Sequence, residues 1–192
     1  HHPAMIQDLQ RAIQLVREKS ALWRLDTNKV GVMGFSAGGH LVGAAGVYYR
    51  ENFMQSLGIQ PEVSLRPDFM AMIYPVVSME DSIVHRKSRR NLLGPKYKPE
   101  SAARMSLEQH VHPDMPPVFL LHCQDDRTVK VENSRVLGRK LKQQGVKCKI
   151  CIYKKGNHGF GLYPGRHADS RGWPERFEEW LQKVVFKKIK VC

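Results

Sequence analysis

At 192 residues, 42% of them hydrophobic, the chain is long enough to bury one core without staples and short enough to be one domain. No apolar run approaches the roughly 18 residues that a membrane-spanning helix needs, so no membrane partner is expected. The net charge of +13 raises a nucleic-acid partner. However, the cations are scattered over residues 86–98, 135–149 and 183–190, with no aromatic residues interleaved as in a base-stacking groove, so none is expected.

The chain opens His1-His2-Pro3-Ala4 with no leader pattern and runs straight into an amphipathic helix over about 4–20. Ile6, Leu9, Ile13 and Val16 form its apolar stripe. A polar turn at Asp26-Thr27-Asn28 releases a first strand, 29–35, and a small-residue helix follows from Ala37 to about Asn52. The second strand, 69–74, stops at Pro75. The stretch 78–115 is polar, basic and long for a connection, with one short helix near 99–108. A third strand at 118–123 follows Pro116-Pro117. A helix from Val131 to Gln144 is closed by Gly145, and a fourth strand runs from Val146 to Tyr153. The last helix opens at Trp173-Pro174-Glu175, with proline in its first turn. Apolar strands alternating with helices predict a parallel α/β sheet of about four strands, flanked by helices on both faces.

Between the first strand and its helix lies Gly34-Phe35-Ser36-Ala37-Gly38. A Gly-x-Ser-x-Gly turn in that setting holds a serine exposed above the sheet, and glycines on either side let strand and helix approach. A serine nucleophile needs a base, and the base needs an orienting acid. In this architecture they follow in the order serine, acid, histidine. The loop after the third strand offers Asp125 and Asp126, and the loop after the fourth offers His158. All three segments end at the strand C-termini, the edge where open α/β sheets place their ligands. Of the nine histidines, His40 is expected to pack or cap, His122 lies inside a strand with His110 and His112 ahead of it, and His167 is the one substitute base. Cys148 and Cys151 sit at odd spacing in a strand and read as buried thiols facing opposite ways, while Cys192 reads as an exposed free one. No metal or other cofactor is expected.

These residues carry a resemblance. The chain resembles the acetyl-xylan-esterase-like carbohydrate esterases of the α/β-hydrolase superfamily. The likeness rests on His2-Pro3-Ala4 with Asp8 and Arg11-Ala12-Ile13, on Gly31 to Leu41, and on Tyr74-Pro75-Val76-Val77-Ser78. It continues through Asn91-Leu92-Leu93-Gly94, Ser106-Leu107-Glu108, Pro116-Pro117, Asp125 to Ser134 and His158-Gly159-Phe160-Gly161. In that family the acid fills the fifth place of a His-Gly-x-x-Asp-x-x-Val pattern. Here that is His122-Cys123-Gln124-Asp125-Asp126-Arg127-Thr128-Val129, which selects Asp126, with cysteine in place of the glycine.

The resemblance implies one catalytic domain over 1–192, the C-terminal portion of an α/β-hydrolase fold, with a cap-like insertion at about 78–115. It implies a serine esterase acting on short acetyl-type esters of a small molecule or an acetylated polysaccharide such as xylan. Ser36 would be the nucleophile, His158 the base, Asp126 the acid and the Ala37 N–H one oxyanion donor. Alternatives are a prolyl-oligopeptidase-type serine peptidase and a non-catalytic binding remnant. The family carries further strands and a His-Gly-Gly-type loop, which supplies a second oxyanion donor, ahead of the first helix found here. The apolar strand 29–35 is therefore expected to need an upstream segment or a strand-adding partner along its far edge.

Overall fold

The computed structural model describes residues 1–163, 165–166 and 168–186. Strands β1 (Gly31–Phe35), β2 (Phe69–Ile73), β3 (Val118–Cys123) and β4 (Cys148–Tyr153) pair in parallel in the order β1-β2-β3-β4. Helix α1 (Ala4–Glu18) and the single-turn α2 (Ser20–Trp23) precede β1. Helix α3 (Ala37–Val47) joins β1 to β2, while α4 (Arg86–Leu93) and α5 (Pro99–Met105) lie between β2 and β3. Helix α6 (Glu132–Gln143) joins β3 to β4, and α7 (Trp173–Val184) is the last described element.

Each strand sits beside its predecessor, so right-handed crossovers that keep advancing in one direction put their helices on one face. Side-chain alternation along the strands divides the core accordingly. Met70, Met72, Val118, Leu120 and Ile150 pack towards α1, α3 and α6. Ala71, Ile73, Phe119, Leu121 and Cys151 pack towards Trp173, Phe177 and Trp180 of α7 on the other face. Cys148 and Cys151 thus belong to opposite faces, as their spacing requires. Cys192 lies outside the described residues.

The central strand β3 is buried at every residue, whereas β1 lies at one edge of the sheet with Met33 40% exposed. Among the described residues no strand pairs with the far side of β1, although its residues are as apolar as an interior strand's.

Several elements are shorter than the sequence predicts, each because a hydrogen bond diverts the backbone. β1 starts at Gly31 and not at 29, since the Val30 N–H donates to the Asp68 carboxylate, which also receives Arg17. α3 stops at Val47 because the buried Gln10 amide clamps the following loop, donating to Glu51 O and accepting from Phe53 N. β4 starts two residues late because Val146 donates to Leu141 O and Gly145, at φ +70, donates to Lys142 O. That pair of bonds caps α6. The stretch 78–115 contains a second helix, α4, beyond the one expected. Its sequence RKSRRNLL has Leu92 and Leu93 as its only aliphatic residues, too few for a periodic signal.

Candidate active site

The turn from β1 to α3 holds Ser36 at φ +54 and ψ −119, a conformation that costs an ordinary residue about 1–3 kcal/mol. Hydrogen bonds hold it there. Ser36 N–H donates to Ile73 O at 2.9 Å, and Ser36 O accepts from Gly39 N and Val76 N, each at 3.0 Å. The turn also needs close backbone approach. A Cβ on Gly34 would lie 2.2 Å from Gly38 O, and one on Gly39 would lie 2.6 Å from Pro75 Cβ. Of the two glycines that flank Ser36, Gly34 makes this close approach. On the helix side the contact belongs to Gly39, while the Cβ direction at Gly38 is open among the described residues.

The Ser36 hydroxyl lies 2.9 Å from His158 Nε2. On the opposite side of that ring, Nδ1 lies 2.6 Å from Asp126 Oδ2. A carboxylate only accepts, so Nδ1 carries the proton and Nε2 is free to accept from Ser36. His158 rides on a loop whose turn places Asn157 at φ +57 and Gly159 at φ +74. That loop is braced from below. The Asp125 carboxylate accepts from Gly156 N and from Asn157 N at 2.8 Å, so the two neighbouring aspartates divide the work: Asp125 holds the loop and Asp126 holds the ring. Tyr74 packs its ring 4.7 Å from the imidazole and accepts from Gly161 N. Trp173 Nε1–H donates to Gly161 O.

The Asp126 side chain is fully buried. Burial alone would raise its pKa. Hydrogen bonds from His122, His158 and the Val129 and Thr128 amides outweigh that and hold the carboxyl well below the usual carboxylate range. Oδ1 takes the Thr128 and Val129 amides at 2.8 and 2.9 Å, and Oδ2 takes the two imidazoles.

Ala37 is the first residue of α3, where a backbone N–H has no acceptor within the helix. Beside it opens a cavity of about 120 Å³ lined mainly by apolar groups, among them Leu41, Val76, Met79 and Leu92. Ser88 and Asn91 bring α4 to the same cavity.

His40, His110 and His112 serve the scaffold. His40 Nε2 donates to Met105 O at 2.8 Å, His110 to Ala103 O and His112 to Val47 O. Burial pushes the His40 pKa down to about 4. His167 lies outside the described residues.

Three residues near the site escaped the sequence reading. Tyr74 reads simply as a strand end. His85 precedes α4, with Nδ1 2.8 Å from Ser88 Oγ; burial, then the nearby His158 and Lys87, lower its pKa. His122 is completely buried and donates to Asp126. Its signal was available: a polar side chain inside an apolar strand has to find a partner.

Comparisons with known proteins agree with this architecture. The BD-FAE family model matches residues 1–141. An acetylxylan esterase of Xylanibacter ruminicola is 31% identical over 161 residues, covering 82% of this chain and 31% of that protein. Endo-1,4-beta-xylanase B of Butyrivibrio fibrisolvens is 30% identical over 158 residues, covering 82% of this chain and 25% of that one. The chain thus spans about a third or less of these curated relatives. Among solved structures, the acetyl ester-xyloside bifunctional hydrolase from Caldicellulosiruptor lactoaceticus superposes with a TM-score of 0.87 at 36% identity, covering 97% of this chain and 68% of that one. A truncated carbohydrate esterase from gut microbiota superposes with a TM-score of 0.77 at 25% identity, covering 93% and 68%. With the family model reaching from the first helix into α6, and a relative above 30% identity matched over two thirds of its length, the chain belongs to the BD-FAE family and has the α/β-hydrolase fold.

Proposed function

We propose that this chain carries the catalytic set of a serine esterase that cleaves short acetyl-type esters on carbohydrate. The observation that carries the reading is the relay from Ser36 through His158 to the buried Asp126, at 2.9 and 2.6 Å. Ser36 Oγ attacks the ester carbonyl carbon while its proton passes to His158 Nε2. Asp126 fixes the ring's tautomer and stabilises the imidazolium. The carbonyl oxygen becomes an oxyanion and accepts from the Ala37 N–H at the positive end of α3. As the C–O bond breaks, the imidazolium returns its proton to the leaving alcohol, and an acyl-serine remains. Water repeats the sequence, His158 taking its proton, to release the acid and restore Ser36.

The apolar cavity beside Ala37 offers a place for the acyl group. Residues 78–115 act as a cap over the site, since α4 reaches that cavity through Ser88, Asn91 and Leu92. The carbohydrate side of the reading is supported by relatives that are an acetylxylan esterase and an acetyl ester-xyloside hydrolase.

The test is hydrolysis of p-nitrophenyl acetate and acetate release from acetylated xylan, together with peptide mapping after fluorophosphonate treatment. Turnover abolished by Ser36→Ala, with the label on Ser36, is the expected result. Labelling elsewhere, or a Ser36→Ala protein as active as the parent, overturns the proposal.

A further inference from the structure

His122 lies on β3 with no exposed surface, four residues before Asp126. Its Nε2 is 2.9 Å from Val129 O and 3.1 Å from Asp126 Oδ2. Both are acceptors, so Nε2 carries a proton and divides it between them. Its Nδ1 is 2.7 Å from Ser134 Oγ on α6, and the hydroxyl donates to it. A hydroxyl donating into one nitrogen makes the opposite N–H a stronger donor.

The two oxygens of Asp126 are used differently. Oδ1 is anchored by two amides of its own loop, which suffices to hold the carboxylate in place. Oδ2 is the atom that His158 uses, and His122 draws on its charge as well. A second donor on that atom leaves less negative charge for the imidazolium that forms on His158 during reaction.

We propose that His122, backed by Ser134, is a positioning residue that moderates the hold of Asp126 on His158, and so sets the pH at which Ser36 becomes nucleophilic. This rests on the functional reading of Ser36, Asp126 and His158 given above. Other titratable and charged groups around the pair include His85 at the start of α4, with Lys87 beside it, Tyr74 at the end of β2, the Cys123 thiol at the end of β3, and Asp125 under the His158 loop. None of them donates to Oδ2 in the described structure.

The experiment measures the rate of Ser36 labelling by a fluorophosphonate against pH, which needs no turnover. It compares the parent chain with His122→Leu, His122→Gln and Ser134→Ala. Removing the donor in His122→Leu should move the rising limb to higher pH by about half a unit or more. His122→Gln, whose amide N–H can take over the bond, should bring the limb back towards the parent. Ser134→Ala should shift it in the same direction as leucine by a smaller amount, and it decides the matter if the leucine variant does not fold. A merely structural role lowers the fraction of labelled protein without moving the limb. An unmoved or lowered limb in His122→Leu and Ser134→Ala, or equal shifts with leucine and glutamine, overturns the inference alone. Absence of Ser36 labelling in the parent chain overturns the functional reading, and this inference with it.

Discussion

The buried imidazole of His40 makes stability depend on pH in a calculable way. Its Nε2–H donates to Met105 O, tying α3 to the end of α5, and burial is the main reason its pKa falls to about 4 from an ordinary 6.5. Between those values the unfolded chain binds a proton that the folded chain refuses. Stability therefore rises with pH across this window: it is fully present above about 6.5 and is lost as pH falls towards 4. At 1.36 kcal/mol per unit, a 2.5-unit difference amounts to about 3 kcal/mol over the full window, of which about 2 kcal/mol is gone by pH 5. His40→Gln keeps an amide donor for Met105 O but has nothing to titrate. Urea unfolding at pH 5 to 8, followed by the fluorescence of the buried Trp173 and Trp180, should show the parent losing about 2 kcal/mol relative to His40→Gln between pH 8 and pH 5. His85 also has a lowered pKa, but it is common to both proteins and drops out of the difference, while His2, whose charge adds to the lowering at His40, acts in the same direction. Curves that stay parallel within about 0.5 kcal/mol would refute the assignment of this proton to His40.

Asp126→Asn presents an N–H where both His158 Nδ1 and His122 Nε2 need an acceptor, so His158 should turn to the tautomer that cannot take the Ser36 proton; acetyl-ester turnover should fall about 10⁴-fold with KM little changed. Gly34→Ala drives a methyl to within 2.2 Å of Gly38 O, a backbone atom that cannot move aside, and should cost about 3 kcal/mol or more in urea unfolding. Asn133 is fully buried and accepts from the Val77 and Ser78 amides while donating to Ile83 O and Lys130 O. Asn133→Ala strands two buried N–H groups and should destabilise by about 3 kcal/mol in the same assay.

The third strand was legible to the residue, because Val118 to Cys123 is an unbroken apolar run bounded by Pro117 and a polar loop. The place of Ser36 was equally plain, since a glycine-flanked serine between a strand and a small-residue helix has few other structural uses. The loop by itself leaves Asp125 and Asp126 equal, and only the spacing of the His122-to-Val129 pattern, through the family resemblance, favours Asp126. Both sit in one loop, and what separates them is which way each carboxylate turns, a matter settled by the amides of Gly156 and Asn157 some thirty residues on. Helix α4 was illegible because its stability does not come from an apolar stripe. Arg89 instead reaches Met79 O and Asp81 and lies over the Tyr97 ring. Gln10 shows the same limit. Nothing in its neighbours reveals that one amide will end a helix forty residues downstream.

The brace that Asp125 supplies has a mechanical consequence. The acid loop and the base loop both hang from the β3–β4 half of the sheet, and Asp125 rivets one to the other, so Asp126 and His158 move as one stiff plate. Ser36 hangs from the β1–β2 half, fastened to Ile73 and Val76. The seam between the plates crosses the site at the Ser36–His158 contact, spanned there by the Tyr74 ring. Relative movement of the two halves, which β2 and β3 join, bears directly on that contact. Warming should open the space between hydroxyl and imidazole while the imidazole and its carboxylate stay locked together.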